Sequence, residues 1–169
     1  MLRPIPILFS VMVLLQGCTY AISPNVAKKA DRTIPFEKLQ ADPEAYKGKL
    51  LILGGTILQT SPLRKGTLIE VAQKRLDYWG KPERTDRTGG RFFLFYPGFL
   101  DSMAYSSGRD ITSAGDVLGT SSPLLGDKQF AYPVILSKEL KLWEQDRKSW
   151  DKPQWIDPLY DPAGRSRPE

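Results

Sequence analysis

The only thiol in this chain, Cys18, stands where an apolar run of residues stops. Met1-Leu2-Arg3 makes a small positive start, and Ile5 to Leu15 is apolar apart from Pro6 and Ser10. A positive n-region, a short h-region and a small residue, Gly17, before the cut together describe a secretory signal. The run falls short of the roughly 20 apolar residues that a membrane-spanning helix needs. Leu15-Gln16-Gly17-Cys18 resembles the bacterial lipobox, in which the cysteine receives a diacylglycerol, the peptide is cut before it and the new N-terminus is acylated. Gln16 departs from that motif, whose middle position usually holds a smaller or hydroxyl-bearing residue. Each buried methylene of an acyl chain contributes about 0.8 kcal/mol, so several chains attach a protein lastingly without spanning the bilayer. Cys18 is the expected site of lipid attachment.

Elsewhere the chemistry is thin. The chain has no histidine, which removes the usual general base, the Ser-His and Cys-His nucleophile pairs, and the commonest metal ligand. Glu70, Asp77, Asp101, Asp110 and Asp116 show no metal-ligand spacing and read as turn caps and solvated strand ends. Gly54-Gly55 and Gly89-Gly90-Arg91 lack the strand-to-helix setting of a phosphate-cradling loop. There is no nucleophile elbow either. We therefore expect no catalytic residue, no cofactor, no metal and no enzyme. The candidate binding surface rests on a cation and aromatics: Arg91, Trp79 and Tyr96, with Trp150 and Trp155 in the tail.

Charge narrows the partners. With 24 basic against 19 acidic residues the net charge is +5, enough for weak attraction to anions but silent about fold. In a bacterial envelope those anions are lipid phosphates and wall polymers, and nucleic acid is not the expected partner.

The elements that must carry these residues read as follows. Residues 1–17 form the signal, and 18–34 a flexible tether with Pro24 and the basic Lys28, Lys29 and Arg32. Residues 35–143 form one β domain, and 144–169 a tail of prolines, aromatics and charges. Phe36 and Leu39 fall on one face of a short helix. Asp42-Pro43-Glu44 has the chemistry of an N-cap, an N1 proline and an acidic first turn, closed by Gly48. The first strand, Leu50 to Thr60, is interrupted by Gly54-Gly55, which suits a bulge or sharp bend. Thr67–Gln73 completes a hairpin. Residues 77–90 read as a mobile charged loop, and Arg91–Tyr96 as the third strand. Phe99 and Met103, four apart, predict a short helix before the fourth strand, Asp110–Gly119. The fifth strand starts at Tyr132 and continues through Trp143. Five strands, 14 glycines and 14 prolines point to a mainly β fold, a small five-stranded OB-like antiparallel barrel with short helices before strand 1 and between strands 3 and 4. Trp150, Trp155 and Tyr160 recur among prolines, either as a strap over the barrel or as a partner-binding strip.

These residues carry a resemblance. The lipobox, Phe36-x-x-Leu39, Tyr46-x-Gly48, Gly54-Gly55-x-Ile57, Gly90-Arg91-Phe92, Tyr96-Pro97-Gly98-Phe99-Leu100-Asp101, Tyr105, Gly108-Arg109 and Tyr132-Pro133-Val134 together resemble the Slp family of outer membrane lipoproteins, the carbon-starvation-inducible group. The resemblance covers roughly residues 1–143. It departs at Ser113-Ala114-Gly115, where the strand more often carries β-branched residues, and at the proline-aromatic tail. It implies a non-catalytic lipoprotein of the bacterial outer membrane, made under stress or slow growth, with no catalytic residues to carry over. Thr19 and Tyr20 after the cysteine agree with that destination, because enterobacterial lipoproteins lacking Asp there pass to the outer membrane. The expected partners are that membrane, through the anchor, and an envelope protein. An envelope glycan or anionic polymer bound on the barrel is the alternative.

Overall fold

The computed structural model describes residues 20–121 and 129–144. Cys18, Trp150, Trp155 and the tail beyond residue 144 lie outside the described residues. Two short helices, α1 (Pro24–Ala27) and α2 (Phe36–Ala41), and a 3₁₀ turn at Glu44–Tyr46 precede five strands. These are β1 (Leu50–Leu63), β2 (Gly66–Lys74), β3 (Arg91–Tyr96), β4 (Asp110–Ser121) and β5 (Gln129–Leu142). They close into a barrel in the order β1-β2-β3-β5-β4, with every neighbouring pair antiparallel except β3 and β5. This is the expected OB-like arrangement. Closure gives each of the five strands a neighbour on both sides, which protects the sheet's edges from pairing with other chains.

One strand makes the closure. The first half of β1 pairs with β4 from Leu50↔Asp116 to Thr56↔Asp110. Its second half pairs with β2 from Gly54↔Lys74 to Leu63↔Gly66. Gly54, Gly55 and Thr56 thus bond on both sides, where the two neighbours crowd closest. A Cβ on Gly55 would run into the Ala72 carbonyl, and one on Gly54 would stand 2.7 Å from the Ile111 carbonyl oxygen. The glycine pair therefore serves close backbone approach. The register shift with β2 falls between Ile57 and Gln59 instead, so the bulge expected at the glycines lies further along the strand.

Alternation fills the barrel. Ile69 and Val71 of β2, Phe92 and Leu94 of β3, Ile111 and Val117 of β4 and Ile135 of β5 share one core with Leu51 and Ile57. The helix α2 plugs it: Leu39 is fully buried, and Phe36 meets Phe92 edge-on at 6.0 Å. A second cluster around Phe95 and Val134, with Leu63, Leu68, Phe93, Leu118 and Leu136 packed against it, lies apart from this core. The departure at Ser113-Ala114-Gly115 has a packing reason. The Ser113 and Ser137 hydroxyls bond at 2.9 Å, and a Cβ on Gly115 would meet the Leu136 carbonyl, so small residues let β5 come close.

The 3₁₀ turn follows the expected chemistry. Asp42 Oδ1 accepts from the Ala45 N–H at 3.2 Å, and Gly48 sits at φ +79° with its N–H donating to the Val117 carbonyl. The helix expected over Phe99–Tyr105 is not formed. That segment makes a single turn, in which the Tyr105 N–H donates to the Asp101 carbonyl at 2.9 Å. Phe99 and Met103 are 76% and 84% exposed. The residues packed on the core are Leu100 and Tyr105, five apart, which one helix face cannot present together. Thr67 finishes the anchoring, donating to the Gly98 carbonyl and accepting from the Leu100 N–H.

Candidate functional site

Among the described residues a cleft of about 1230 Å³ lies between the N-terminal segment, the first half of β1 and the loop from β2 to β3. Each wall has a sequence-level cause. On one side the chain from Tyr20 to Ile34, expected as part of a flexible tether, lies against the barrel. Ile22 is buried, the Ser23 N–H and hydroxyl both donate to the Glu139 carboxylate, and the Asp31 N–H donates to the Leu50 carbonyl. One apolar side chain and a handful of backbone bonds outweigh the polar composition of the stretch.

On the other side the loop at 75–90, whose residues 77–90 were expected as a mobile hairpin tip, folds back on itself. Asp77 Oδ1 accepts from the Trp79 and Lys81 N–H groups at 2.8 Å each, Gly80 adopts φ +82°, and Leu76 pairs with Pro82. An aspartate with a glycine three residues on is a turn signal with a mechanism. The Thr112 hydroxyl then donates to the Gly80 carbonyl at 2.6 Å, and the Trp143 indole N–H donates to Thr112 at 2.9 Å. The loop is thereby tied to β4 and to the residue after β5. Lys81 and Lys141 lie over the Trp143 ring at 5.7 and 5.8 Å.

The two walls meet through rings. The Ala21 N–H donates to the Trp79 carbonyl at 3.3 Å, while the Tyr20 and Trp79 rings stand 5.7 Å apart. Tyr78 meets Trp79 edge-on at 5.2 Å and is 78% exposed. Beside Tyr20 a mainly apolar groove of about 480 Å³ runs along α1, lined by Ile22, Pro24, Ala27 and Ala30 together with the exposed Lys28 and Arg32. Inside the large cleft the charges are mixed: Arg32, Lys74, Arg75 and Arg87 stand against Asp31, Glu37, Asp77 and Glu83. Such a lining shows no bias toward an anion.

The candidate residues on the barrel occupy three separate environments. Arg91 is exposed at the start of β3 and paired to Glu70 at 2.9 Å. Tyr96 is at the other end of the same strand, about 17 Å away at the rise of an extended chain, with its ring over Gly98. Trp79 belongs to the ring cluster with Tyr20 and Tyr78. Tyr20 and Tyr78 were not among the candidates, although Tyr78 adjoins Trp79 and Tyr20 lies two residues from Cys18. Among the described residues no group of three or more His, Cys, Asp or Glu side chains could hold a metal ion, and no helix is long and apolar enough to cross a membrane.

Comparison with known proteins supplies the context. The model of the outer membrane lipoprotein Slp family matches residues 15–167. The chain is 29% identical over 96 residues to an uncharacterized protein of Haemophilus influenzae, a match that covers 56% of this chain and 52% of that one. It therefore spans about half the length of that relative. With the outer membrane protein Slp of Escherichia coli it shares 21% identity over 170 residues, covering 91% of this chain and 89% of the relative.

Proposed function

Because the chain belongs to the outer membrane lipoprotein Slp family, we propose that it is held at the outer membrane by lipid on Cys18 and acts without catalysis, presenting its barrel to an envelope partner under stress or slow growth. The observation that carries this reading is the state of the barrel's interior. Core side chains such as Ile57, Ile69, Val71 and Phe92 are buried to 0–1% exposure and pack together in one cluster among the described residues. The buried hydroxyls of Thr67, Thr112, Ser113 and Ser137 are all engaged in bonds within the fold. What the molecule offers is outer surface, including the cleft of about 1230 Å³ beside the N-terminal segment.

The anchor is tested directly. Cys18→Ser should abolish incorporation of labelled palmitate and leave an uncut precursor, whereas normal processing and outer-membrane fractionation of the variant would sink the anchor. The partner is sought by photo-crosslinking from the cleft in living cells, with Thr85 or Arg87 replaced by a photoreactive residue. A discrete protein adduct supports the reading, and adducts to glycan alone would favour the alternative. That alternative, a glycan or anionic-polymer site on the face of β2 and β3, has less to support it. Arg91 is occupied by Glu70, and the aromatic nearest along that face, Phe93, packs with the Phe95 and Val134 cluster.

A further inference from the structure

Lipid on Cys18 leaves the chain very little slack. Tyr20 is two residues from the cysteine, and two extended residues span about 7 Å. From Ala21 onward the chain is fixed to the barrel by the bond to the Trp79 carbonyl, the burial of Ile22 and the two bonds from Ser23 to Glu139. The point where the anchor leaves the barrel is thus a definite place on its surface. Whatever surrounds Tyr20 must stand within headgroup reach of the bilayer.

The chemistry at that place suits the interface. Tyr20, Tyr78 and Trp79 form an exposed ring cluster, and amphipathic rings of this kind gather at the level of lipid headgroups. The α1 groove beside them is lined by Ile22, Pro24, Ala27 and Ala30 together with the exposed Lys28 and Arg32, cations suited to lipid phosphates beside an acyl or glycerol surface. We infer that the Tyr20–Tyr78–Trp79 cluster and the α1 groove form a second membrane contact, seated among phospholipid headgroups, so that anchor and cluster together fix the barrel's orientation. The turn between β1 and β2, at Arg64 and Lys65, is carried at the opposite end of β2 from the 75–90 loop, so with the cluster at the headgroups it is expected to stay in water. This inference rests on Cys18 as the point of lipid attachment.

The test exploits the single cysteine. With Cys18 lipidated, a cysteine introduced by Tyr78→Cys is the only thiol open to an environment-sensitive fluorophore, and Lys65→Cys provides the control at the far end. Each lipidated full-length protein is placed in phosphatidylethanolamine–phosphatidylglycerol vesicles with brominated acyl chains. The probe at position 78 should shift to the blue and lose emission to the brominated lipid, while the probe at 65 keeps the aqueous spectrum. Equal responses at the two positions overturn the inference. So does a probe at 78 that is shielded from an aqueous quencher yet untouched by brominated lipid, which would mean a second copy of the chain covers the cluster. Palmitate labelling and vesicle flotation of the same samples report on the anchor separately. A protein that floats but keeps position 78 in water refutes the second contact and leaves the anchor standing.

Discussion

Glu44 shows how one side chain joins two distant parts of the chain. Its carboxylate accepts from the Thr120 backbone N–H at 2.8 Å and from the Thr120 hydroxyl at 3.2 Å. It also occupies the space where a Cβ on Gly119 would sit. The Thr120 N–H, and then its hydroxyl with help from Lys47, holds the Glu44 carboxyl below the usual glutamate range. A carboxyl lowered in the folded state adds stability that is present above its unfolded pKa and is lost as pH falls through the folded value. Glu44→Gln should therefore be less stable than the parent at neutral pH and change less on acidification, the two urea midpoints converging once the pH has fallen through the lowered Glu44 value. Parallel midpoints from neutral to acid would show that Glu44 contributes nothing through its charge. At Gly55 the effect is steric. Alanine there meets the Ala72 carbonyl, and overpacking of this kind costs about 1–3 kcal/mol, measurable as a lower midpoint of thermal unfolding with wild-type strand content.

Among the elements, α2 has the clearest role, because its two apolar residues close the open end of the barrel. Leu39→Ala removes a fully buried side chain and should cost about 2–5 kcal/mol. Lys38→Ala on the exposed face of the same helix should stay within about 0.5 kcal/mol; similar losses for both would mean that α2 does not plug the core. The pair Phe36 and Leu39 was legible from spacing alone, as were all five strands, because alternation and glycine-proline punctuation are local signals. The segments misread are those governed by distant partners. Phe99 and Met103 have helical spacing, but the barrel's anchoring points for that segment, Thr67 and the core, select Leu100 and Tyr105 instead. Residues 77–90 look mobile by composition, yet Thr112 and Ala21 bind the loop from elsewhere in the chain. The same reasoning applies to the candidate surface residues. Trp79 was visible as an aromatic in a polar loop, but its partner Tyr20 stands 59 positions away in sequence and belongs to a stretch that no periodicity marks.

For the molecule as a whole, the decisive question is whether the chain before α2 is a leash or part of the body. A leash would contribute nothing to stability, and removing it would free the barrel without weakening it. The structure makes it a wall. Ile22 is 5% exposed, the Ser23 N–H and hydroxyl reach Glu139 on β5, and Asp31 bonds through its N–H to β1 and through its carboxylate to Thr33. Covering one isoleucine contributes about 1.5–3 kcal/mol, and each retained hydrogen bond adds about 0.5–1.5 kcal/mol net. A chain beginning at residue 35 should therefore unfold at clearly lower urea than one beginning at residue 19, with a loss of about 2 kcal/mol or more. Ile22→Ala in the longer chain should reproduce much of that difference. Equal midpoints for the two lengths would restore the leash. The same result would undo the fixed exit point of the anchor, because the orientation of the barrel on the membrane depends on the segment holding its place.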